Sequence, residues 1–95
     1  MFKYTRHTLK KIEILFESSS YQIRYEKGSF QSGYCLVEDR KIIVINRFFE
    51  IEGRINTLIE ILNNVALDES EFDEKQMDFY QQILSMDELA KSESN

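Results

Sequence analysis

Proline is absent from this 95-residue sequence, glycine occurs three times, and there is one cysteine and one histidine. Each shortage excludes something. A lone Cys35 closes no intramolecular disulfide, and the chain has no Asn-x-Ser/Thr acceptor, both of which fit a reducing compartment. With one His and one Cys, a closed zinc site would take at least two of its four ligands from Asp and Glu, a set structural zinc rarely uses. The chain contains no GxGxxG, GxxxxGK[ST], HExxH, paired CxxC or GxSxG. No cofactor is therefore expected. Nor does any stretch approach the roughly 18 apolar residues of a membrane span. The opening MFKYTRHTLKKIEILFESSS is basic but lacks the apolar core of about 7–15 residues that marks a secretory signal. The expectation is a cytoplasmic protein away from the membrane.

What is present suits one globular domain. The chain is 42% hydrophobic and 31% charged, with seven Phe and five Tyr, a composition well away from disorder. Its length allows a single core and no second domain. The formal charge of −5 is divided unevenly. Residues 1–48 hold nine Lys and Arg against five Asp and Glu, and residues 49–95 hold three against twelve. Either the two halves attract one another within the fold, or the acidic half keeps the protein soluble.

Periodicity predicts the elements. Residues 4–18 place Thr5, Leu9, Ile12, Leu15 and Phe16 on one helical stripe, and Ser18-Ser19-Ser20 ends it. Tyr21–Glu26 alternates as a half-buried strand, with Tyr21, Ile23 and Tyr25 on one face. Residues 33–38 and 41–46 read as two further strands around the tip Glu38-Asp39-Arg40. The run Ile42-Ile43-Val44-Ile45 has no polar alternation and belongs in a central position. Residues 51–66 form the clearest helix, on Ile51, Ile55, Leu58, Ile59, Leu62, Val65 and Ala66. A capping box at Asp68-Glu69-Ser70-Glu71 opens a third helix to about Leu84, which buries Phe72, Gln76, Phe79, Tyr80 and Ile83. The expected fold class is α+β, in the order α-β-β-β-α-α, with a three-stranded antiparallel meander packed against helices. Residues 1–85 make the domain and 86–95 a polar, frayed tail.

Candidate chemistry is thin. His7 falls among Lys10 and Lys11 on the solvent side of its helix, and Cys35 sits between Tyr34 and Leu36 as a small core residue. Glu71, Glu74 and Asp78 share the polar face of the third helix without the carbonyl ligands calcium sites recruit. The best polar group for an enzyme is Glu60, Asn64, Asn46 and Tyr34. Arg24, Lys27, Arg40, Lys41 and Arg47 lie near aromatics, which would suit nucleic acid if they shared one face. Ile14 and Ile61 lie outside the main stripes, and Phe48-Phe49 sits in a loop. Apolar residues to spare suit an interface, and Tyr21, Tyr25, Phe48 and Phe49 are its candidates.

The stretch GYCLVEDRKIIVINRFFEIEGRINTLIEIL resembles small uncharacterised bacterial proteins. That resemblance implies a stand-alone cytoplasmic protein with no activity attached. The same stretch is similar to the minimal zinc-peptidase core, where a helix and a hairpin ending in Asn precede an R-x-T-L-x-H-E-x-x-H helix. Asn46 ends the hairpin here, and Arg54, Thr57 and Leu58 echo the lead-in, Arg54 one residue early. On that frame Glu60 takes the first ligand's place, Ile61 the catalytic Glu's and Asn64 the second ligand's. Isoleucine is no base and Asn a poor zinc ligand, so the resemblance implies a relic without the metal and lends no catalytic residue. The reading favours a non-enzymatic small bacterial binding or assembly module, with a homodimer and another protein as its partners. The alternatives are a degenerate hydrolase on Glu60 and Asn64, or a weak nucleic-acid binder.

Overall fold

The structure, a computed structural model, describes residues 3–27, 33–37 and 40–93, and of residues 33–37 and 87–93 the backbone alone. Helix α1 (Arg6–Ser18) buries Leu9, Ile12, Leu15 and Phe16. Thr5 leaves the expected stripe to cap the helix, its Oγ1 accepting from the Thr8 N–H at 3.2 Å. At the other end the N–H groups of Ser19 and Ser20 donate to the carbonyls of Phe16 and Glu17 at 3.0 and 3.1 Å. Ser20 adopts φ 68°, the left-handed cap that turns the chain sharply back.

Strand β1 (Tyr21–Glu26) therefore returns directly beneath α1. Strands β2 (Gly33–Val37) and β3 (Arg40–Asn46) follow, and the sheet order is β1-β3-β2. Strand β1 runs parallel to β3, with Ile23 opposite Ile43, whereas β2 runs antiparallel to it, with Cys35 opposite Ile42. This overturns the antiparallel meander. The three strands form one mixed sheet in a small α+β domain. The physical reason lies in the apolar run. Ile42, Ile43 and Ile45 are buried, and a near-continuous apolar run of that kind suits the middle of a sheet rather than its edge. The short β2–β3 connection fixes one neighbour, and β1 takes the other edge.

Helix α2 (Ile51–Asn64) buries Ile55, Leu58, Ile61 and Leu62. Asp68 caps a 3-10 turn (Glu69–Glu71) rather than a helix, its carboxylate accepting from the Ser70 N–H at 3.0 Å. The true box of α3 (Glu74–Glu93) is Asp73 with Gln76. The Gln76 N–H donates to Asp73 Oδ1 at 2.8 Å, and the Asp73 N–H donates to Gln76 Oε1 at 2.9 Å. Helix α3 also runs beyond the expected end near Leu84.

One face of the sheet meets the helices. Ile43 and Ile45 join Leu9, Ile12, Leu15, Phe16, Leu58, Leu62 and Ile83 in a single core. Phe16 meets Tyr21 edge-on at 5.5 Å, and Phe72 meets Tyr80 at 5.6 Å. Ser19, buried under this layer, donates its hydroxyl to the Asp68 carbonyl at 2.9 Å and ties the end of α1 to the segment before α3. Ile61, expected outside the apolar stripe, is 8% exposed and belongs to the core, whereas Ile14 is exposed.

Candidate functional site

The polar group expected from the sequence does not gather into one pocket among the described residues. Glu60 and Asn64 are exposed on the last turns of α2, where the Asn64 side-chain amide donates to the Glu60 carbonyl of its own helix at 2.7 Å. Asn46 stands ahead of the first turn of α2, and that helix of 14 residues spans about 21 Å. The Tyr34 and Cys35 side chains lie outside the described residues. His7, Glu71, Glu74 and Asp78 are exposed. No three His, Cys, Asp or Glu among the described residues are grouped to hold a metal ion. The cations that a nucleic-acid surface would need on one face are divided. Lys41 Nζ lies 5.2 Å from the Tyr21 ring on the helix-covered face, whereas Arg24 is exposed on the other. No helix of the described residues is long and apolar enough to cross a membrane.

The interface candidates separate too. Tyr21 is 6% exposed and belongs to the core, and Tyr25 is partly buried against it. Phe48, by contrast, is 71% exposed and Phe49 38%. Both stand on the loop that joins β3 to α2, and its backbone is fixed from several directions. The Arg47 N–H donates to the Glu26 carbonyl at 2.8 Å, and the Phe49 N–H to the Asn46 carbonyl at 3.1 Å. The Phe48 N–H donates to Asn46 Oδ1 at 3.0 Å. Arg54, one turn into α2, grips the loop from below. Its Nε donates to the Phe49 carbonyl and its Nη2 to the Arg47 carbonyl, both at 2.9 Å. Phe49 lies over that first turn, where a Cβ on Gly53 would stand 3.4 Å from Phe49 Cβ. The loop is thus a rigid mount for an exposed aromatic ring.

Compared with family models, curated proteins and solved structures, the chain matches none.

Arg54 also connects the loop to a second feature. Its guanidinium lies 4.8 Å from the centre of the Tyr25 ring, a cation–π contact. The Tyr25 hydroxyl donates to Glu13 Oε2 on α1. Burial first, then that hydrogen bond and the carboxylate's charge, pushes the Tyr25 phenol well above the ordinary tyrosine value. Beside this chain runs an open groove of about 450 Å3 between α1 and β1, lined by Lys10, Glu13, Glu17, Ile23 and Tyr25 among others. Sequence reasoning singled out the Phe48-Phe49 pair, gave Arg54 no role beyond the peptidase likeness and passed over Glu13, because the partners of both are set by tertiary packing. The one available signal was Lys10, Glu13 and Glu17 recurring at i, i+3 and i+7, a charged face beside the buried one.

Proposed function

We propose that this chain is a non-enzymatic binding and assembly module of bacterial type that works in the cytoplasm and pairs with a second copy of itself through the β3–α2 loop. The observation that carries this is Phe48, 71% exposed on a backbone pinned by Asn46 and Arg54. A large apolar side chain held in water by a rigid mount costs little further entropy to bury. Covering one such ring contributes about 1.5–3 kcal/mol, and a two-fold axis counts it twice. Phe49 beside it widens the apolar spot. The single cysteine, which closes no intramolecular disulfide, supports a reducing compartment.

Light scattering across a tenfold dilution tests this. The native chain is expected at twice its 11.4 kDa mass at high micromolar concentration, shifting to monomer on dilution. Phe48→Ser is expected to remain monomeric throughout with its circular dichroism unchanged. A native mass that stays at 11.4 kDa at every concentration overturns the reading.

A further inference from the structure

We propose that the groove between α1 and the outer edge of β1 takes an extended, basic peptide segment of a partner protein, which adds to the sheet as a fourth strand. Three features point there. The first is the direction of the backbone. The Glu26 carbonyl accepts from the Arg47 N–H on the β3 side. Backbone groups alternate in direction along a strand, so Gln22 and Arg24 also turn theirs towards β3, and Ile23 and Tyr25 turn theirs outwards. Strand β1 ends the sheet on that side, so no strand of the described residues pairs with them. Ile23 and Tyr25 thus each present one N–H and one C=O to an incoming chain.

The second is shape. The helix and the strand edge form the two walls of a cleft of about 450 Å3, within the range of about 300–1,000 Å3 usual for ligand clefts. Ile23 is only partly covered by the core at its base. An added strand directs every second side chain over Ile23 towards α1.

The third is charge. Glu13 and Glu17 line the α1 wall against a single cation, Lys10, and the whole chain carries −5. A lysine or arginine directed into the cleft lays its aliphatic stem on Ile23 and brings its head to Glu17. The same charges argue against a second copy of β1 as the occupant. A two-fold pairing of this edge brings the Glu13 and Glu17 pairs of both copies to one seam, where like charges repel. This surface is separate from the Phe48 loop, and its use does not depend on self-association.

A fluorescein-labelled peptide of alternating lysine and valine, seven residues long, tests the inference by anisotropy at low salt, beside the same peptide with glutamate for lysine. The native chain is expected to bind the lysine peptide and not the glutamate one. Glu17→Lys, a change at an exposed position, is expected to weaken binding at least about tenfold. Ile23→Pro is expected to abolish it, because the outward N–H is lost while no bond to β3 is. Where Ile23→Pro fails to fold, Glu17→Lys alone decides. Phe48→Ser is expected to bind as the native chain does, which separates this surface from the dimer seam. No binding up to about 1 mM, equal binding of the glutamate peptide, or binding that Glu17→Lys changes less than twofold overturns the proposal.

Discussion

Replacing Arg54 by alanine isolates the group on which the β3–α2 loop depends. The guanidinium makes two 2.9 Å bonds to the Phe49 and Arg47 carbonyls and stacks over Tyr25 at 4.8 Å. Hydrogen bonds from charged donors contribute about 1.5–3 kcal/mol when shielded, but these two are exposed, so about 1 kcal/mol each is the fitting figure. The cation–π contact adds about 0.5–1 kcal/mol. Arg54→Ala is therefore expected to lower stability by about 2–3 kcal/mol, against a total of about 5–14 kcal/mol for a domain of this length. In thermal melts that is a fall of roughly 8–24 °C. Arg54→Lys keeps a point charge over Tyr25 but loses the planar fork, so about half the loss returns. Urea unfolding of the three proteins measures the series, and light scattering reads its consequence, since a loosened loop orders Phe48 at greater cost and is expected to dissociate the proposed dimer with Phe48 still in place. A loss for Arg54→Ala below about 0.5 kcal/mol would show that the fork does not hold the loop, and would refute the rigid mount.

Two further outcomes follow from the core and from Tyr25. Leu62 is fully buried, so Leu62→Ala is expected to cost about 2–5 kcal/mol in urea unfolding, and a loss under about 1 kcal/mol would remove α2 from its place on the core. The Tyr25 phenol is raised in the folded state by burial and by Glu13. Its contribution to stability is therefore complete below the unfolded tyrosine value near pH 10 and is lost as pH rises from there towards the folded value. Unfolding free energy measured from pH 9 to 11.5 is expected to fall more steeply for the native chain than for Tyr25→Phe, and parallel slopes would contradict the raised phenol, the burial of Tyr25 first and its bond to Glu13 with it.

The elements were legible because each carries its own period. Leu9, Ile12, Leu15 and Phe16 mark one helical face, and all four are buried. Ile43, Ile45, Leu58 and Leu62, which an apolar strand followed by a wide helical stripe should bury, are in the core. Strand direction is another matter. The alternation of Tyr21, Ile23 and Tyr25 is the same whether β1 runs with or against its neighbour, and pattern alone does not choose. The apolar run of β3 did contain the answer to strand order. A central strand needs two neighbours, and in a meander β2 rather than β3 would have been central. The cap at Asp68 illustrates a similar competition. Its carboxylate serves the nearest free amide, that of Ser70, in a 3-10 turn, and Asp73 with Gln76 supplies the reciprocal pair that starts α3.

The sites were less legible, for a reason visible in Glu13 and Arg54. Both are charged residues on helices, and such residues usually line a solvated face. Glu13 acquires a role only because Ser20 turns the chain back in the left-handed conformation and lays β1 under α1, bringing Tyr25 within a hydrogen bond of a residue 12 positions earlier. Arg54 acquires its role only because α2 starts five residues after β3 ends, so that its first turn faces the carbonyls of its own entry loop. Neither event has a periodic signature. Phe48 stood out in the sequence because its aromatic pair falls in a loop outside the apolar stripes, whereas the acidic groove breaks no local rule. An acidic face becomes a recognition feature only when a sheet edge lies beside it, and that adjacency is decided by the parallel pairing of β1 with β3, another feature of the fold that pattern leaves undetermined.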